Sequence, residues 1–223
     1  VGSEMCIRDR LYAWTLPLFL NPHLRSTEET WLIGIFFVLY VLMDFSGYSD
    51  MAIGIGRMMG IQLSENFRSV FRAQNFLEFW QRWHITLGRW FRDYVFIALK
   101  KRHVPKSVAV LFSFVLIGFW HGATWNFILW GLAMGVLWLL DIRLDWIRRV
   151  TCWLPSGGLV RFVRSAMVMV CFIWVGWLYA LEDVSQSWVF MKSMMGVEPS
   201  TSGIKLGFKP LGISTWLALT LAL

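Results

Sequence analysis

The sequence predicts an all-α, polytopic transmembrane protein, and three observations carry that reading. First, 57% of the 223 residues are hydrophobic and only 16% are charged, whereas soluble domains run near about 45–50% apolar and about 25% charged. Second, fifteen Trp and eighteen Phe form an aromatic load suited to membrane interfaces and large apolar cavities. Third, long apolar runs alternate with short loops that hold most of the basic residues. The net charge of +7 therefore reads as the basic bias of cytoplasmic loops. No nucleic-acid-binding motif accompanies it, so nucleic acid is not an expected partner; the lipid bilayer is. Cys6, Cys152 and Cys171 are scattered without a CxxC pair, which supports neither a zinc site nor a disulfide framework.

Taken in order, residues 1–10, "VGSEMCIRDR", lack the apolar core of a signal peptide and read as a non-native leader. Residues 11–223 then read as a partial transmembrane domain. The chain does not start with Met and stops inside the apolar run "STWLALTLAL", so it is expected to be the C-terminal part of a longer protein. Residues 11–22, broken by Pro17 and Pro22, are short of the roughly 20 residues a span needs. "RSTEET" (25–30) offers an N-cap to an apolar helix from Trp31 to Met59. Residues 62–75 are polar and amphipathic. Residues 76–103 place Phe76, Phe79, Trp80, Trp83, Leu87, Trp90, Phe91 and Tyr94 at helical spacing, with charges on the other face. That pattern predicts a helix in the membrane interface or along a polar cavity.

Residues 107–140 are nearly uncharged. As one helix they would reach about 50 Å, too long for about 30 Å of hydrocarbon. The flanks "KKRHVPK" and 141–164 are both basic, so the run is expected to reverse, with "WHGAT" near the turn. Residues 165–181 form another span, 182–210 a loop with balanced charge, and 211–223 the start of a further span.

The question of chemistry centres on "GFWHGATWNFILWG", residues 118–131. Imidazole is expensive to bury in hydrocarbon unless it is used or satisfied. His121 is a candidate general base that takes a hydroxyl proton as the oxygen attacks an acyl carbon; the alternative is a bond to a backbone carbonyl across a helix interface. Gly118 and Gly122 leave room beside the ring. Thr124 and Asn126 could orient it or steady an oxyanion, and Trp120, Trp125 and Trp130 could wall a tunnel. His84, in "FWQRWHITLGRWFRDY", is the second candidate; 36 residues separate the two, enough to bring both to one cavity from different helices. Arg89, Arg92 and Asp93 could bind donor phosphates or simply snorkel. Asp44, Tyr48 and Asp50 could pair with Arg57, Arg89 or Arg92, but read better as a helix-start cap. His103 and His23 sit in polar loops.

"DFSGYSDMAIGIGRMMGIQLSENF", "FWQRWHITLGRWFRDYVFI" and "GFWHGATWNFILWG" together resemble the membrane-bound O-acyltransferase (MBOAT) family, most nearly its alginate O-acetylation type. The resemblance is strongest over 31–140. It implies a multi-pass enzyme of a bacterial inner membrane that moves an acyl group to a hydroxyl. It further implies that His121 is the catalytic histidine and His84 the second motif histidine, and that no cofactor or metal is bound. The implied donor is an acyl thioester such as acetyl-CoA; the implied acceptor is a polysaccharide reached through an extracytoplasmic acetyltransferase partner. The chain departs from the family pattern at "ALKKRHVPK", where a "PLGGNR"-like turn is usual, and at "WVGWLYALEDV", which lacks a Phe-Arg pair. The chief rival is a transporter or proton-relay subunit. It calls for broken half-helices in two similar halves, a repeat the sequence does not display. A bis-histidine haem protein using His84 and His121 is a second rival.

Overall fold

The computed structural model describes residues 26–181 and 183–197. The expectations for 1–10, 11–22 and 211–223 fall outside these residues. Every regular element among the described residues is helical. Among the described residues, three helices are long and apolar enough to cross a membrane: α1 (Thr27–Met58), Trp125–Leu144 and Gly158–Ala180. The described residues divide into two compact units, one of residues up to Leu63 and from Ile173 onward, the other of Ser64–Phe172.

In the first unit, α1 begins where the sequence places its cap. Ser26 Oγ accepts the Glu29 N–H and Glu29 Oε2 accepts the Ser26 N–H, both at 3.3 Å, a capping box that satisfies two terminal donors. The helix then continues for 32 residues. Asp44, Tyr48 and Asp50 lie in its interior, not at a helix start, which corrects the reading of these residues as a cap. The "SGYSD" stretch is apolar enough on either side for the helix to run straight through it.

Residues 182–210 were expected to be a loop, but Val184–Met194 (α9) is helical. Asp183 caps it by accepting the Ser185 N–H at 2.9 Å, a bond that holds its carboxyl below the usual range. This helix packs on α1: Trp31 Nε1 donates to Met194 O at 3.0 Å and Thr27 Oγ1 to Ser193 O at 2.9 Å. At eleven residues this helix is too short to be stable by propensity alone, so its stability comes from packing, which a sequence reading does not show.

In the second unit, the expected helix over 76–103 is broken into pieces: α2 (Phe76–Trp80), α3 (Ile85–Trp90), a π-helical turn (Phe91–Phe96) and α4 (Ile97–Lys101). The first break is at His84, whose backbone is left-handed (φ 45°, ψ 55°). Such a conformation costs a non-glycine residue about 1–2 kcal/mol and persists only where the surroundings hold it. Two main-chain bonds to the preceding segment do so: Arg68 N–H to Arg82 O at 3.0 Å and Ile85 N–H to Asn66 O at 2.9 Å. Arg82 is committed to the same join through Glu78 and Arg68 O.

The predicted reversal within 107–140 is present. Helix α5 (Lys106–His121) and helix α6 (Trp125–Leu144) pack antiparallel around the turn Gly122–Thr124. Their closeness depends on glycine. A Cβ on Gly118 would stand 2.1 Å from Phe127 O, and one on Gly131 2.2 Å from Phe114 O. At the other end Arg143 hydrogen-bonds Ser107, and Lys106 lies over Trp138. Helix α7 (Trp146–Val150) follows, then α8 (Gly158–Ala180). That last span starts seven residues earlier than 165–181, taking in Arg161 and Arg164. Arg164 is accommodated there by donating to Thr151 Oγ1 at 2.9 Å.

Candidate active site

His121 is the last residue of α5. The hairpin turn that follows places its ring against residues of α6: Trp130 edge-on at 5.3 Å and Phe127 nearly parallel at 6.2 Å between centroids. Trp130 is buried and lies in turn against Trp80 of α2 at 6.2 Å. The imidazole itself is half-buried. His84 approaches from the break between α2 and α3 and is buried, 5% exposed. The Trp120 indole neighbours both histidines, 6.1 Å from the His84 ring and 5.0 Å from the His121 ring. The two histidines that the sequence singled out are thus brought to one aromatic cluster from separate elements.

His84 is anchored as well as buried. Its Nδ1 lies 3.2 Å from Asn66 Oδ1. The same oxygen accepts the Thr86 N–H at 3.2 Å and the Thr86 hydroxyl at 2.9 Å. Lying in a turn outside the three spanning helices, the His84 imidazole is pushed down to about 3 by burial and by the neighbouring His121. At neutral pH it is therefore an uncharged ring with one N–H and one lone pair. Sequence reasoning missed Asn66, since an Asn in a polar stretch 18 residues before its histidine carries no periodic or motif signal. It also missed Phe127 and Asp141. Asp141, buried near the end of α6, accepts the Phe76 N–H at 2.7 Å. With Asn75, which accepts the Glu78 N–H at 2.7 Å, it closes the N-terminus of α2. The platform that carries Trp80 and leads to His84 is fixed in this way.

The remaining sequence candidates divide. Asn126 is buried beneath the turn and Gly122 forms its bend. A Cβ on Gly122 would meet the Phe127 ring at 2.5 Å, so that glycine lets the ring lie beside His121. Thr124 is exposed and its side chain makes no capping bond. Trp125 is 73% exposed, which removes it from the wall of any tunnel formed by the described residues; Trp120 and Trp130, named with it from the sequence, lie against His121. Arg89, Arg92 and Asp93 are not drawn into the histidine cluster. All three are exposed, and Arg92 pairs with its neighbour Asp93 at 2.7 Å. This bond holds the Asp93 carboxyl below the ordinary carboxylate range. Arg89 and Arg92 instead line a cavity of about 450 Å³ with Trp80, Ile85, Phe114 and Trp138 among its walls; neither histidine lines it. Among the described residues, no three His, Cys, Asp or Glu side chains converge as a metal site would need.

What the arrangement offers chemically is two imidazoles, one of them neutral and hydrogen-bonded, against a shared aromatic wall. That combination is suited to moving a proton to or from a hydroxyl. Compared with known proteins, the chain matches the family model of the membrane-bound O-acyltransferases over residues 17–181, and it belongs to that family. Over 175 residues it is 34% identical to a probable alginate O-acetylase AlgI of Azotobacter vinelandii, covering 76% of this chain and 33% of that protein. Over 114 residues it is 42% identical to a peptidoglycan O-acetyltransferase of Helicobacter pylori, covering 50% of this chain and 22% of that protein. A teichoic acid D-alanyltransferase of Bacillus subtilis is 33% identical over 147 residues, 61% of this chain and 36% of that protein. The chain therefore spans little more than a third, at most, of these relatives.

Proposed function

We propose that the whole protein is a multi-pass membrane O-acyltransferase of a bacterial inner membrane, moving an acyl group from a thioester to a hydroxyl of a cell-envelope or exported polysaccharide. One observation carries this reading: His84 and His121, with 36 residues between them in the chain, both lie against the Trp120 ring. Family membership supplies the reaction class, and the relatives' names divide between O-acetyl and D-alanyl transfer. Acetyl is the acyl group we favour, because the alginate O-acetylase of Azotobacter vinelandii matches over 76% of this chain, against 61% for the D-alanyltransferase of Bacillus subtilis. Acetyl-CoA or another short acyl thioester is the donor, and an extracytoplasmic acetyltransferase is the partner that completes delivery to the polysaccharide.

In this mechanism His121 takes the proton of the acceptor hydroxyl as the oxygen attacks the thioester carbonyl. The tetrahedral intermediate collapses with loss of the thiolate, which recovers the proton from the His121 imidazolium. Atoms and charge balance without any further reactant. His84 orients the acceptor from its fixed position. Trp120, Trp130 and Phe127 keep water away from the thioester. Asn126 and Gly122 shape the turn that presents His121.

The test uses the full-length protein in membranes with a radiolabelled acyl thioester. His121→Ala is expected to lower transfer about 10²–10⁴-fold. Transfer equal to the parent's would remove His121 from the chemistry.

A further inference from the structure

Asn66 addresses three consecutive residues at the break that carries His84. Its main-chain oxygen accepts the Ile85 N–H at 2.9 Å. Its side-chain oxygen accepts the Thr86 N–H at 3.2 Å and the Thr86 hydroxyl at 2.9 Å, and lies 3.2 Å from His84 Nδ1. One of these contacts determines the chemistry of the others. A backbone N–H can only donate, so the carboxamide atom facing Thr86 N has to be the oxygen and not the NH₂ group. That oxygen can only accept. The His84 nitrogen beside it must therefore carry the hydrogen.

We propose that Asn66 is a positioning residue that locks neutral His84 in the Nδ1–H tautomer, leaving Nε2 as the nitrogen with the lone pair. The geometry is buried on both sides: Asn66 is 5% exposed and His84 5% exposed. Water is thereby kept from exchanging for the Asn66 oxygen. The left-handed backbone at His84 and the bonds from Ile85 and Thr86 to Asn66 keep the ring from swinging away. The arrangement is the protein-only counterpart of the outer-shell acceptors that fix a histidine's tautomer at metal sites. Only one ring nitrogen then carries a lone pair, and it is the one farther from Asn66.

This inference rests on the acyltransferase reading only for its effect on rate; the tautomer is a property of the resting protein. The direct test is nitrogen-15 NMR of the full-length protein, labelled at histidine and held in bilayers, with His84→Ala assigning the resonance. At neutral pH Nδ1 of His84 is expected to be protonated and Nε2 bare. A protonated Nε2 in the parent protein overturns the proposal without any variant at Asn66. Asn66→Asp keeps an acceptor and is expected to retain the tautomer and most of the transfer. Asn66→Leu removes the acceptor; it is expected to mix the tautomers and lower kcat about 10–100-fold, the range for second-layer histidine partners, with KM little changed. If Asp and Leu lower activity equally while the tautomer stays fixed, Asn66 is packing and the proposal fails. If His84→Ala transfers acyl groups at the parent rate while the Nδ1–H tautomer is observed, it is the catalytic reading of His84 that fails instead.

Discussion

Gly118 and Gly131 face one another across the α5–α6 hairpin, and a Cβ built on either would lie 3.2–3.3 Å from the other's Cα. The more severe encounter for each is with a backbone carbonyl, Phe127 O for Gly118 and Phe114 O for Gly131. Backbone cannot rotate aside as a side chain can, so an added methyl must push the helices apart. The pair of glycines is a close-approach contact of the kind that membrane helices favour, and it sets how His121 meets Trp130 and Phe127.

Gly118→Ala and Gly131→Ala are accordingly expected to destabilise the protein by at least about 1–3 kcal/mol, the usual scale of overpacking. Thermal unfolding of the detergent-solubilised full-length protein measures this. Gly176→Ala is the control, since a Cβ there meets nothing within 4 Å, and it is expected to be neutral. Equal melting temperatures for all three would contradict the tight hairpin.

Removing the two histidines is expected to give unequal losses. His121→Ala removes the base and is expected to reduce the acyl-transfer rate about 10²–10⁴-fold, the span of general-base contributions. His84→Ala removes a supporting ring and is expected to lose less. The double variant is expected to be scarcely worse than His121→Ala, because residues acting as one unit are not additive. Independent, multiplying losses would separate the two roles.

Asp141→Ala leaves the buried Phe76 N–H without its acceptor at the start of α2. An unsatisfied buried donor costs about 1–3 kcal/mol. The same variant is expected to weaken transfer, since α2 carries Trp80 and leads into the His84 turn. Asp141→Asn retains an oxygen and is expected to fall between parent and alanine in both melting temperature and rate. An unchanged melting temperature for Asp141→Ala would show that another group satisfies Phe76.

Arg89 and Arg92 line one cavity but differ in charge balance, because Arg92 is held by Asp93. If the donor's phosphates enter there, Arg89→Ala is expected to raise the donor KM more than Arg92→Ala does. Asp93→Asn frees Arg92 and is expected to lower KM. Since Arg92 holds the Asp93 carboxyl below the ordinary carboxylate range, the pair is intact at neutral and mildly acidic pH. The difference between the arginine variants is therefore expected to persist down to pH 5. Equal effects of the two substitutions on KM would detach this cavity from donor binding.

Much of the architecture was legible because it follows from short-range rules. A capping box announces itself as Ser26 and Glu29, three apart. The reversal in 107–140 followed from length against bilayer thickness and from basic residues on both flanks. The breaks at 81–84 and the helix at 184–194 did not, because each depends on partners distant in the chain. His84 is left-handed because Asn66, eighteen residues earlier, bonds to the three residues at the break; Val184–Met194 is helical because α1 offers Trp31 and Thr27 to its end.

For the site, the sequence by itself determined that imidazoles stood in apolar surroundings and belonged to motifs of one family, because charge and hydropathy are read locally. Only the tertiary structure decided that Trp130 rather than Trp125 faces His121, that Arg89 and Arg92 lie apart from the histidines, and that Asn66 holds His84. The reason is geometric: which side of a helix a ring occupies, and which distant oxygen a ring nitrogen meets, are settled by how helices pack and where the chain turns, and neither is written in any short window of residues.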